Sequence, residues 1–449
     1  MNWIQLLSSQ RFGDKKDMSI SETRSRFDQD FDRLIFSHPF RKLQDKTQVF
    51  PLPEDDFVHT RLTHSLEVAS VGRSLGRLVG EHLLQTHVEL KEAGFGIHDF
   101  GSIVGAACLA HDLGNPPFGH SGESAISSFY LNHPDGQVFQ QLVAKKEWQD
   151  LTNFEGNAQG FRILNDSNMG GLTLTFATLG AFTKYPKTSS ATVIKGRKSQ
   201  KKFGIYRSNV DQYNELAKGM GLIPFEEESW CRHPLAFLVE AADDICYNII
   251  DLEDGCRLGL VSFDQTKELL AAIIGKKYDE EKLNKVNDQN NKLGMLRALA
   301  INQLITECVT EFKNQDSAML RGEFDQALTD IIPSSEALHK ISKLSIDKIY
   351  RSKQVLEREA GGFEVIEQLM RAYVKAVYTK FFEDEAFNPR QRAIYLLLNE
   401  SIRNRLEHPD QSVYERLMIV SDFISSLTDS YAIKLYKILN GYSLPESRA

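Results

Sequence analysis

The stretch GSIVGAACLAHDLGNPPFGH, residues 101–120, constrains this chain more than any other. Residues 101–110 are apolar or small, a composition that suits a helix enclosed by other helices. Gly114 and the Pro116-Pro117 pair then stop that helix and turn the chain sharply. A helix running to Gly114 carries His111 and Asp112 to its own end, and His120 and Glu123 follow just past the corner. Two imidazoles and two carboxylates therefore crowd around one rigid turn.

Helical periodicity recurs on both sides of this corner. Phe27, Phe31, Leu34 and Ile35 have helical spacing, and so do Leu62, Leu66, Val68, Val71, Leu75, Leu78 and Leu83, on a helix that carries His64. The pattern returns over Leu235–Leu252 and dominates the remainder, with Pro333 and Pro409 as interruptions. Pro39, Pro51 and Pro53 break any continuation near QVFPLPEDD, which reads as a loop or short strand pair. Residues 183–208 break the helical texture too. With Lys195, Arg197, Lys198, Lys201 and Lys202 they predict a mobile basic hairpin or loop. Strand signals are few, so the expected fold is mostly α: a core over residues 1–260 that carries the site, and a helical region, 261–449, packed on it.

Composition narrows the function. At 449 residues the chain can bury a large core, and its formal charge of -8 argues against a surface that binds nucleic acid throughout. Cys108, Cys231, Cys246, Cys256 and Cys308 are scattered with no CxxC pair, so neither a disulfide framework nor a cysteine zinc site is indicated. The amino terminus, MNWIQLLSSQRFGDKK, lacks a basic leader region, and no apolar run reaches membrane-spanning length. A cytoplasmic protein with no membrane partner is the expectation.

The histidines point to a metal. Eight of the 12 fall between His59 and His133. Of these, His82, His87, His98 and His133 have polar neighbours and read as surface residues. His64 sits on an otherwise amphipathic helix, where alone it reads as a structural histidine, and the adjacent His111-Asp112 pair at a helix end shifts both toward ligands. A further carboxylate is available in AADDICYNIIDLEDG, where Asp243, Tyr247 and Asp251 share one stripe of an otherwise apolar helix. Acidic groups on such a helix are costly to bury unless they are paired or bind a cation. Mixed nitrogen and oxygen ligands suit one divalent ion, Mn²⁺, Mg²⁺, Fe²⁺, Co²⁺ or Ni²⁺, and ligand type alone does not choose among them. Such an ion supports hydrolysis by lowering the pKa of bound water. No GxxxxGK[ST] or GxGxxG loop is present, which argues against kinase-like use of a nucleotide.

At this point the motifs carry a resemblance. FRKLQDKTQVF (40–50), RLTHSLEV (61–68), HDLGNPPFGHSGE (111–123), NFEGNAQGFRIL (153–164), LTFATLGAFTKYP (174–186), AADDICYNIIDLEDG (241–255) and DFISSLTDSYAIKLY (422–436) occur in the order seen in the dGTPase-like deoxynucleoside triphosphate triphosphohydrolases, a branch of the HD phosphohydrolases. The resemblance implies His64, His111, Asp112 and Asp243 as ligands of one metal ion per subunit. It implies His120 and Glu123 as the catalytic pair, with His120 acting on the departing 5′-oxygen or on the attacking water. It implies Arg61, Lys184 and Asn115 at the phosphates, Gln48 and Asp251 at the 3′-hydroxyl, and Tyr247 against the sugar. The implied reaction converts a dNTP to deoxynucleoside and inorganic triphosphate. A homo-oligomer, hexameric in the fullest form of the resemblance, and a dNTP activator are implied as well.

Two other readings use the same residues. One keeps the metal and changes the substrate to a nucleoside monophosphate or cyclic nucleotide. The other treats the site as vestigial in a nucleotide-sensing or nucleic-acid-binding protein, with the basic run at 195–202 against a single strand. The complete set of ligand candidates and the KTQV and NFEGNAQ stretches favour the triphosphohydrolase.

Overall fold

Gly72, Gly76 and Gly80 recur every fourth residue along one helix face and decide how that helix packs. The computed structural model describes residues 1–14, 24–49, 59–166 and 171–442. In it the glycine face of α2 (Arg61–Thr86) lies against α3 (Ile97–Ala110), both following α1 (Arg26–Ile35). A β-carbon on Gly76 would stand 2.6 Å from the Phe100 carbonyl oxygen, and one on Gly72 would stand 2.4 Å from Cys108 Sγ. Larger residues would push the helices apart. Their close antiparallel approach brings the start of α2 beside the end of α3, so that the rings of His64 and His111 lie 5.3 Å apart.

The helix of the corner ends at Ala110, earlier than the Gly114 expected from the sequence. Residues 111–114 form tight turns instead, with Leu113 N–H donating to Ala110 O at 3.0 Å. His111 keeps helical backbone angles, φ -55° and ψ -31°, and its N–H turns to Cys108 O, so the chain tightens as it leaves the helix. Gly114 is pressed onto the next layer, where a β-carbon would stand 2.0 Å from the carbonyl oxygen of Gly156, at the start of α5 (Gly156–Asn165). Between them runs α4 (His120–Asn132).

Two apolar clusters hold the remaining helices. The first unites α1 to α3 with α6 (Ala236–Arg257) and α7 (Gln289–Leu320), through side chains such as Leu75, Val104, Ile249 and Phe312. The second packs Phe129 and Tyr130 of α4 against α8 (Lys353–Phe382) and α9 (Val413–Ser425), with α10 (Asp429–Leu439) closing it. Burying each such side chain contributes about 1.5–3 kcal/mol. Packing therefore does not divide at residue 260. The helix α7 completes the first cluster, and α4 belongs with the carboxy-terminal helices.

The basic insertion is docked and forms no hairpin. Its pairings are isolated bridges, Lys187 with Ser229 and Thr188 with Ile205. Arg197 Nε meets Asp325 at 2.9 Å, Lys198 meets Asp330 at 2.7 Å and Lys202 meets Glu155 at 3.2 Å, while Ser199 and Gln200 are buried. Lys195 and Lys201 stay exposed. His87 also departs from a surface role, since its Nε2 lies 2.9 Å from Asp316 Oδ2 and its ring meets Trp3 edge-on. Most of QVFPLPEDD falls in 50–58, outside the described residues, although Thr47 just before it bridges Thr60. Among the described residues, no helix is long and apolar enough to cross a membrane.

Candidate active site

Thr60 caps α2 and accepts a hydrogen bond from Thr63 N–H, so the helix starts rigidly one turn before His64. His64 is 1% exposed, and its Nε2 lies 3.4 Å from Asp243 Oδ1 on α6. His111 Nε2 lies 3.6 Å from the same oxygen. The donor atoms of His64, His111 and Asp243 all fall within 4.8 Å of one another. Asp112 stands aside from this triangle. Its Oδ2 is 3.6 Å from His111 Nε2, but Arg61 Nη1 holds that oxygen at 2.7 Å and Asn115 Nδ2 holds the other at 2.5 Å.

The donor set fits a divalent ion. His111 Nδ1 is 2.7 Å from Cys108 O, and a carbonyl can only accept, so Nδ1 carries a hydrogen and Nε2 is the nitrogen that faces the triangle. Burial works to raise both carboxyls but is outweighed. His111, His64 and Lys184 hold Asp243 well below the usual carboxylate range, and Arg61, His111 and His64 bring Asp112 down to about 2. Both carboxylates are thus charged and ready for a cation. Asp244 turns away and accepts from Thr329 Oγ1 at 2.6 Å.

Beside the triangle, His120 and Glu123 face each other across the first turn of α4, with Nδ1 and Oε2 2.7 Å apart. Gly156 N–H donates to the other Glu123 oxygen at 2.7 Å, which fixes the carboxylate from behind. Burial raises the Glu123 carboxyl, and the bond to His120 leads the effects that bring it below its ordinary value. The imidazole itself is 82% exposed, so Nε2 is left to the open cavity.

That cavity has a volume of about 440 Å³ and is lined by both groups. Arg61, Asn115, Lys184, Gln48 and Tyr247 also line it. Lys184 is not a free cation, since Glu240 and Asp243 lie 3.7 and 3.6 Å from its Nζ. Burial would lower its pKa, but Tyr185, Glu240 and Asp243 raise it above its ordinary value, so it stays charged. Among the described residues, Gln48 Oε1 is buried with no hydrogen-bond partner, which leaves an amide oxygen able to accept from a donor.

Asp251 does not line the cavity. At 3% exposure it sits behind Tyr350, whose hydroxyl donates to it at 2.7 Å and whose ring stacks on Tyr247 at 5.6 Å. Tyr350 ends a π-helical turn, Ile346–Tyr350, a distortion often found at functional sites. Sequence reasoning missed Tyr350 and also Lys202, which lines the same cavity. The basic run was a signal for Lys202. Tyr350 had none.

The HD domain model matches residues 61–148, and that of the phosphohydrolase-associated domain matches residues 333–438. Together with the helical fold and the histidine-aspartate site, these matches define an HD-domain phosphohydrolase. A deoxyguanosinetriphosphate triphosphohydrolase-like protein of Synechocystis sp. is 39% identical, over 99% of this chain and 100% of its own length. One of the same description from Pseudomonas aeruginosa is 37% identical, again over 99% and 100%. A deoxyguanosinetriphosphate triphosphohydrolase of Klebsiella pneumoniae is 30% identical over 92% and 93%. The chain belongs to the deoxyguanosinetriphosphate triphosphohydrolase-like family.

Proposed function

We propose that this protein hydrolyses deoxynucleoside triphosphates to deoxynucleoside and inorganic tripolyphosphate. The observation that carries this reading is that His64, His111 and Asp243 converge on the cavity that also holds the His120–Glu123 pair, Arg61 and Lys184. His64, His111 and Asp243 would hold a divalent ion, with Asp112 joining them as Arg61 turns from its carboxylate to a phosphate. When bound, Mn²⁺, Mg²⁺ or a related ion supplies Lewis acidity and lowers the pKa of water.

The chain's own groups do the rest. Arg61 and Lys184 offset the charge of the phosphates, and Asn115 lies beside them at the corner. Water attacks the α-phosphorus and the bond to the 5′-oxygen breaks. His120, oriented by Glu123, moves the proton at Nε2, giving it to the departing 5′-oxygen or taking it from the attacking water, a contribution of about 10²–10⁴ in rate. Tyr247 and Tyr350 face the sugar, Gln48 Oε1 accepts from the 3′-hydroxyl, and Asp251 contributes through Tyr350. A 2′-hydroxyl pressed on the tyrosine pair lacks a partner, which favours deoxynucleotides. A cytoplasmic homo-oligomer regulated by a dNTP completes the reading.

Phosphorus NMR of a reaction with Mn²⁺ and dGTP tests it. Tripolyphosphate is the expected product. Orthophosphate or pyrophosphate, or turnover confined to monophosphates or cyclic nucleotides, would overturn it.

A further inference from the structure

Asp429, the first residue of α10, is 1% exposed and does not itself line the cavity, yet its carboxylate bonds to two residues that do, Thr47 and Phe118. Its Oδ1 accepts from Phe118 N–H at 3.0 Å. Its Oδ2 accepts from Thr47 N–H at 3.1 Å and from the Thr47 hydroxyl. Phe118 has φ +62°, a left-handed conformation that a residue with a β-carbon rarely adopts, and Gly119 follows at φ +57°. The two positive angles turn the chain from Pro117 into α4. His120 is the very next residue.

The Phe118 ring is held as well. It sits on Gly362 of α8, where an added β-carbon would stand 2.5 Å from Phe118 Cγ. Lys46 Nζ ties the same corner by donating to Asn115 O at 2.6 Å and to Ser425 O at 2.8 Å at the end of α9. Three carboxy-terminal helices thus grip one unfavourable turn. The turn matters because the His120 imidazole, so largely exposed, has Glu123 as its side-chain hydrogen-bond partner and otherwise depends on the backbone for its direction.

We propose that Asp429 is a positioning residue for His120, holding the left-handed Phe118–Gly119 turn that aims the imidazole at the reacting phosphate. The inference rests on the triphosphohydrolase reading and adds to it that the carboxy-terminal region sets the geometry of the proton-transfer group. Losing the bond lets the turn relax, and a displacement of the order of 1 Å at a reacting group costs about a hundredfold in rate.

The experiment compares metal-loaded wild type, Asp429→Asn, His120→Ala and the double variant, reading tripolyphosphate release, KM, metal content and melting temperature. Asp429→Asn should lower kcat by about tenfold to a hundredfold with metal content and KM little changed. In the His120→Ala background it should cost nothing further, because a group that acts through His120 has nothing left to aim. Gly362→Ala displaces the Phe118 ring without altering a polar group, and should show the same fall in kcat and the same non-additivity. It carries the test should Asp429→Asn fail to fold. Unchanged kcat, or losses that add in the double variants, would overturn the positioning role and leave the triphosphohydrolase reading standing. A wild type that releases no tripolyphosphate overturns both.

Discussion

The Tyr350 hydroxyl donates to Asp251 across 99 residues of sequence and shields that carboxylate from the cavity. Burial pushes Asp251 up to about 7 even with this bond in place. Tyr350→Phe removes the hydroxyl and leaves Asp251 short of a donor, a loss worth about 1–3 kcal/mol. That cost falls on folding and is carried by free and bound enzyme alike; with the hydroxyl also gone from the sugar end of the proposed site, KM for a dNTP should rise about tenfold, while KM for the 3′-deoxy analogue should barely move. Equal rises for both substrates would remove Tyr350 from the sugar end.

Metal and proton transfer separate by mutation. Asp243→Ala should lose both bound metal and turnover, because two imidazoles alone are left of the triangle. His120→Ala should keep its metal and lose about 10²–10⁴ in rate. Elemental analysis beside initial rates reads both, and a fully active His120→Ala would eliminate the catalytic pair. Chelation should silence the wild type, and added Mn²⁺ should restore it.

Gly114 predicts a purely steric failure. A methyl group there would stand 2.0 Å from Gly156 O and 2.2 Å from Gly160 N, both backbone atoms. Overpacking of this kind costs typically about 1–3 kcal/mol. Gly114→Ala should lower the melting temperature and shift the corner enough to reduce turnover. A variant with wild-type stability and rate would show that the contact gives way freely.

His59 should make stability fall at alkaline pH. Burial would lower its pKa, but Asp254 at 2.8 Å and Glu67 at 3.2 Å outweigh that and raise it to about 10. An unfolded histidine titrates near 6.5. The raised folded value means that the contribution is complete below about 6.5 and is lost as pH climbs through about 10. Melting of the metal-free protein should therefore drop across this window, and His59→Gln should flatten the drop. A wild type with a level profile there would show that the pair adds nothing.

What could be read from sequence was local. The small residues of 101–110 announced a buried helix, and the spacing of Asp243, Tyr247 and Asp251 placed them on one helix. The misreadings came from contacts distant in sequence. The basic run looked mobile because nothing near it announces Asp325 and Asp330 as partners. Asp251 looked like a cavity residue because its screen, Tyr350, lies in a stretch whose periodicity gives a helix but not its neighbours. The end of α3 was misplaced since Gly114 serves the close approach to Gly156, while the helix already tightens into short turns from His111 onward.

The pairing of α4 with α8 and α9 has a consequence for biosynthesis. His120 emerges from the ribosome long before Gly362 and Asp429, so during translation the segment that bears it waits without the surfaces that shape it. A nascent chain halted before those helices would leave Phe129 and Tyr130 of α4 without the apolar partners they have in the finished fold.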